Sequence, residues 1–176
     1  MQDFEKLFLK GTLLIQEYIK NPFLIDGLKF DLRLYVLITS ADPLKIFLYR
    51  DGLVRFASEK YEQPSKGNMK NMFKHLTNYA INKESKTFIQ NEEIGEQDKS
   101  HKRSFAAFWK QMKKQGYDTD RIWHNIKDII LKAFCSGQPF LAHEYKSAQP
   151  REYTKSLCFE VLGYTFHLTP FLHYYF

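Results

Sequence analysis

Lys29, Asp31 and Arg33 alternate with Phe30, Leu32 and Leu34 along DGLKFDLRLYVLIT, residues 26–39. In an extended chain, residues two apart share a face at about 6.6 Å spacing. A cation, an anion and a second cation therefore form one row, while the intervening apolar residues face a core. Such a row can compensate itself as a solvated sheet face with cross-strand partners. It can also line a polar cleft for a phosphorylated ligand, because phosphoryl transfer is catalysed mainly by positioning and by positive charge aimed at developing negative charge. Arg55 lies between apolar Val54 and Phe56, so it faces away from both and is able to join the row. HLTNY, residues 75–79, adds short hydrogen-bonding side chains, which read equally as a capping turn.

These side chains need a sheet to hold them. Residues 12–19, TLLIQEYI, read as a buried strand stopped by Asn21-Pro22. Residues 28–39 form the strand of the charged row, SADP at 40–43 turns the chain, and residues 44–49 return. Arg50-Asp51-Gly52 is a tight-turn signal and residues 53–58 are a third pass, which predicts an antiparallel meander. Residues 59–100 are polar and irregular, with a loop over 84–99. Phe105, Phe108, Trp109 and Met112 then fall at helical spacing, with Gly116 as the stop. Asp118 or Thr119 caps a second helix carrying Ile122, Ile126, Ile129 and Ala133 on one face. Residues 155–164, KSLCFEVLGY, fit a strand or a buried helix. The resulting class is α+β, with helices grouped after an antiparallel sheet.

The chain has 176 residues, enough for one domain or for part of a larger one. An apolar fraction of 44% with 16% aromatics supports a core and excludes a disordered chain. The net charge of +6 suits an acidic partner. It does not point to nucleic acid, since the aromatics sit mostly at helical core spacing and no nucleic-acid motif is present. Cys135 and Cys158 have neither metal-ligand spacing nor a disulfide pattern, and buried reduced thiols are expected. The N-terminal residues do not read as a signal peptide and no apolar run spans a membrane, so the expected setting is cytoplasmic, with no membrane partner.

The run IQEYIKNPFLIDGLKFDLRLYVLITSADPLKIFLYRDGLVRFASEKY, followed by HLTNYAINK, resembles the tubulin–tyrosine ligase-like proteins, and among them the tubulin polyglutamylases. The resemblance runs over about residues 12–164 and favours glutamylation over glycylation. It implies an ATP-grasp fold and an ATP- and magnesium-dependent ligase that activates a carboxylate as an acyl phosphate. The implied partners are free glutamate and the acidic C-terminal tails of tubulin, on microtubules of the cytoskeleton, cilium or flagellum. By the same resemblance Gln16, Glu17, Tyr18 and Ile19 lie beside adenine. Lys29 and Asp31 meet phosphates and ribose, and Thr77 and Asn78 complete the nucleotide site. Arg55 and Tyr79 hold the incoming amino acid, and Arg33 stands near the transferred phosphoryl group.

The likeness has gaps. After Tyr164 the family pattern has an Asp and then a Glu-x-Asn, the magnesium ligands; here Thr165 follows and no Glu-x-Asn appears. His167 and His173 do not make a substitute metal site. Ala80 stands where related enzymes usually have Ser. The expected organisation is a partial ATP-grasp domain over 1–164, truncated at both ends, with a divergent tail over 165–176. An incomplete gene product, inactive alone, is the expectation. The alternative is a non-catalytic binder of tubulin tails using Lys66, Lys70, Lys74, Lys99, Lys102, Arg103, Lys110, Lys113 and Lys114.

Overall fold

Leu24–Ile25 (β1) and Leu28–Ala41 (β2) are joined through Asp26 and Gly27, whose φ values of 56° and 77° make a two-residue hairpin turn. The computed structural model describes residues 16–90, 100–148, 158–169 and 174–175. Strand β2 is the centre of the sheet. Leu44–Phe56 (β3) pairs with it antiparallel on one side and Glu160–Leu168 (β5) pairs antiparallel on the other. Lys102–Ser104 (β4) extends the sheet beyond β3, and Tyr174–Tyr175 (β6) extends it beyond β5. The α+β class is therefore observed, but the strand completing the centre comes from the far end of the chain.

The period of two in β2 sorts its side chains as the sequence demands. Phe30, Leu32, Leu34 and Val36 are each at most 2% exposed and face the helices. Helix Phe105–Lys114 (α3) adds Phe105, Phe108 and Met112, and helix Thr119–Ala148 (α4) adds Ile122, Ile126, Ile130 and Phe134. The Phe30 and Phe108 rings meet at 5.7 Å. Two single-turn helices, Met72–His75 (α1) and Tyr79–Asn82 (α2), precede them. Ser104 caps α3 by accepting from the Ala107 amide at 3.2 Å, and Gly116 leaves it with φ 84°. Asp118 caps α4 through the Arg121 amide at 2.9 Å. The buried face of α4 steps by four, through Ile130 and Phe134, rather than through Ile129 and Ala133; Ile129 packs at its margin.

Three expectations change, and the open choice of strand or helix near residue 160 is decided. Arg50-Asp51-Gly52 does not reverse the chain: β3 runs through it as a bulge, with Leu34 opposite Gly52 but Val36 opposite Leu48. The Asp51 carboxylate accepts from the Gly52 amide at 2.8 Å, so the polar residues serve the bulge. Residues 16–19, assigned above to a strand, have no regular structure, and residues 12–15 lie outside the described set. Residues 160–168 are strand, and the break in family pattern at Thr165 falls inside it. Cys135 and Cys158 are exposed rather than buried.

Gly52 has a steric reason. A Cβ there falls 2.4 Å from the Arg33 carbonyl oxygen and 3.0 Å from the Phe105 ring. Backbone cannot yield as a side-chain tip does, so Gly52→Ala is expected to destabilise by about 1–3 kcal/mol, measured by urea unfolding.

Candidate functional site

The β2–β3 register sets Arg55 directly opposite Asp31. Directly opposed residues of an antiparallel pair share a face, so Arg55 joins the charged row. Its guanidinium donates through Nε to Asp31 Oδ1 at 2.8 Å and through Nη2 to Oδ2 at 3.0 Å. The Thr77 hydroxyl also donates to Oδ2. Asp31 is 1% exposed against 23% for Arg55, so the carboxylate is the buried hub and the cation reaches outward. Thr77 is brought there by Asn82, a fully buried residue that the sequence reading did not single out. Asn82 Oδ1 accepts from the Ser58 amide and hydroxyl, each at 2.8 Å, and its Nδ2 donates to the Leu76 and Asn78 carbonyls at 2.9 and 3.0 Å. That one amide ties the HLTNY segment to the residues just after β3.

Strand β5 supplies a member that local pattern could not reveal. Thr165 pairs opposite Arg33, and its hydroxyl oxygen accepts from Arg33 Nη1 at 3.1 Å and from Arg55 Nη2 at 3.4 Å. Two guanidiniums thus converge on one neutral oxygen. Arg33 lies across Gly163, where a Cβ would come within 2.0 Å of its Nη2. The group in the way is the end of a flexible side chain, so Gly163→Ala is expected to leave the melting temperature within about 2 °C, a shift below 1 kcal/mol, while moving the guanidinium.

A cleft of about 870 Å³ is lined by Gln16, Glu17, Tyr18 and Ile19 on one side and by Lys29, Thr165 and His167 on the other. Lys29 is 5% exposed and donates to the His75 carbonyl at 3.0 Å, with its ammonium 4.3 Å from the centre of the Tyr18 ring. Burial pushes this ammonium from 10.5 down to about 8, partly opposed by Asp31. Burial likewise raises the Tyr18 phenol and lowers the His167 imidazole. Tyr18 Oη lies 3.0 Å from His75 Nδ1, while His75 Nε2 and His167 Nδ1 are buried without hydrogen-bond partners among the described residues. A second cavity of about 400 Å³ is lined by Arg33, Arg55, Thr77, Tyr79 and Lys102, among others. Thr165, a wall of the first cavity, holds two cations that line the second.

The sequence-derived residues therefore fall into two groups. Gln16–Ile19 and Lys29 line the larger cleft; Arg33, Arg55, Thr77 and Tyr79 line the smaller cavity; Asp31 links them from beneath. Asn78 is exposed, lines neither cavity and makes no side-chain cap. The fork of Arg55, expected to grip an incoming carboxylate, is taken by Asp31, and both Asp31 oxygens are taken in turn. Of the basic residues, Arg103 is not surface charge: it is 3% exposed, bonded to Asp26 at 3.1 Å and stacked 4.2 Å over the Phe56 ring. Lys66, Lys70, Lys110, Lys113 and Lys114 are exposed, and Lys99 lies outside the described residues.

With this arrangement in view, the relationship to known proteins is direct. A model of the tubulin–tyrosine ligase family matches residues 1–172. The chain belongs to the tubulin–tyrosine ligase family. It is 46% identical over 162 residues to a probable beta-tubulin polyglutamylase of Tetrahymena thermophila, covering 90% of this chain and 14% of that protein. Tubulin polyglutamylase ttll6 of Danio rerio is 44% identical over 152 residues, 86% of this chain and 19% of the relative. Tubulin polyglutamylase TTLL7 of Xenopus tropicalis is 41% identical over 162 residues, 91% of this chain and 18% of the relative. The chain thus spans less than a fifth of the length of these tubulin–tyrosine ligase relatives.

The magnesium implied by the family resemblance does not fit this site. Magnesium takes oxygen ligands in near-octahedral geometry, usually through one or two carboxylates and water. Among the described residues no group of three or more His, Cys, Asp or Glu is disposed to hold a metal ion. Arg55 and Thr77 occupy the Asp31 carboxylate, and Glu17 is the one other carboxylate among the described residues that line either cavity, short of a ligand set. No helix of the described residues is long and apolar enough to cross a membrane.

Proposed function

We propose that these residues are the nucleotide- and amino-acid-binding part of an ATP-dependent tubulin polyglutamylase, an ATP-grasp ligase, and that the chain by itself does not complete the reaction. The observation that carries this reading is the shared wall: one cleft sized for a nucleotide and one cavity rich in cations meet at Thr165 and its two arginines. Gln16–Ile19 flank the adenine, and Lys29 reaches the phosphates. Asp31 fixes Arg55 and Thr77 so that they face the ligand. Glutamate enters the smaller cavity, its carboxylate drawn by the charge of Arg55, whose fork Asp31 holds, and by the Tyr79 side. In the reaction a tail carboxylate oxygen attacks the terminal phosphorus of ATP and ADP leaves. The glutamate amine then attacks the acyl carbon, phosphate leaves and the amine loses a proton. Arg33 stands where charge builds on the transferred group.

Photolabelling with 8-azido-ATP tests the nucleotide part. The label is expected in the tryptic peptide spanning residues 11–20, and competed by ATP; a label elsewhere refutes the adenine assignment. With ATP, magnesium, labelled glutamate and microtubules, incorporation is expected not to exceed a heat-killed control. Incorporation above that control refutes the claim that the chain is incomplete as a catalyst.

The exposure of Lys66, Lys70, Lys110, Lys113 and Lys114 favours a second reading, non-catalytic binding of acidic tubulin tails. Microtubule co-sedimentation falling steeply between low and physiological salt supports it, since exposed charges are screened within about 8 Å at 0.15 M. Salt-independent pelleting counts against it.

A further inference from the structure

The mismatch with magnesium has a positive side. Arg33 is partly buried, and among the described residues no carboxylate lies within ion-pair distance of it; its neighbours are the Thr165 hydroxyl at 3.1 Å and the Tyr35 ring at 5.8 Å. Arg55 has spent one edge on Asp31 but still turns Nη2 toward the same hydroxyl. Both arginines line the smaller cavity, and among the described residues no carboxylate lines it. Lys29 faces the adjoining cleft. A divalent cation set between the two guanidiniums meets like charge and the neutral Thr165 hydroxyl, while the Asp31 carboxylate is already held by Arg55 and Thr77. An oxyanion meets two planar guanidiniums already gathered on one point, the geometry that suits phosphate oxygens.

We propose that Arg33 and Arg55, converged on Thr165, form a clamp that binds a polyphosphate chain without a divalent metal. Positive charge that a bound ion supplies elsewhere is here built into the side chains, and Thr165 keeps the two cations together without neutralising them. A carboxylate at position 165 would pair with both and close the clamp to anions. The inference rests on the anion-site part of the function proposed above and not on its adenine part.

The probe that separates the two is sodium tripolyphosphate, which carries the charge and no base. Calorimetric titration of the 176-residue chain with tripolyphosphate in EDTA is expected to give binding at least as tight as in excess magnesium. Arg33→Ala and Thr165→Asp are each expected to weaken binding in EDTA at least tenfold. Magnesium is expected to recover part of the loss for Thr165→Asp alone. Melting curves of both variants establish that each is folded. Binding that appears only with magnesium overturns the clamp, as does no binding in either condition or binding indifferent to both substitutions. Tripolyphosphate binding in EDTA with no competition by ATP sustains the clamp and removes the nucleotide reading instead.

Discussion

Asp31→Ala is expected to lower the stability of the chain by about 3 kcal/mol, which for this size shifts the melting midpoint by roughly 6–12 °C. Asp31 is buried and takes three hydrogen bonds, two from Arg55 and one from Thr77. Removing one partner of a buried ion pair typically costs about 3–5 kcal/mol, because the remaining charge is stranded. Arg55 is 23% exposed, so water recovers part of that loss, and the lower end of the range applies. The double variant Asp31→Leu with Arg55→Met separates the causes. It removes both charges while keeping volume, and is expected to regain most of the lost stability yet none of the anion binding. If the double variant is as unstable as the single one, the ion pair is not what holds this corner, and packing around position 31 must be.

The charged row was legible because strand geometry is simple: a period of two fixes a face whatever the partner strands do. Arg55 was readable for the same reason, and the mistaken turn at Arg50-Asp51-Gly52 did not disturb it, because its pairing with Asp31 lies in the unbroken register beyond the bulge. Thr165 and Gly163 were not legible. They reach Arg33 through pairing between strands more than a hundred residues apart, and nothing in the local pattern of β5 says that it docks on β2. Asn82 was hidden differently, as a polar residue whose four bonds stitch two segments from inside the protein. The β1–β2 hairpin did have a signal, Asp26-Gly27 between Leu-Ile and Leu-Lys, which was read only as the start of the row. Helix α4 also runs through Pro139 to Ala148, a length that no local signal marks.

The second large effect concerns Lys29. Burial lowers its ammonium from 10.5 to about 8, so between those values the unfolded chain binds more protons than the folded one. Stability then rises with pH across that window: the penalty of burying the charge is fully present below about 8 and is relieved toward 10.5. Lys29→Met is expected to abolish that rise and, at pH 7, to be within about 1 kcal/mol of the parent, since the bond to the His75 carbonyl goes with the penalty. Ligand binding moves the opposite way. An anion in the cleft favours the charged ammonium, so at pH 8 binding is expected to take up roughly half a proton. Titrations in two buffers of different ionisation enthalpy read this directly. Lys29→Met is expected to bind ATP roughly 10- to 100-fold more weakly, as loss of a hydrogen bond to a charged group implies, and with no proton uptake. Were the variant to bind ATP as the parent does while losing only the pH-dependent stability, Lys29 would be a buried strut and the phosphates would lie beyond its reach.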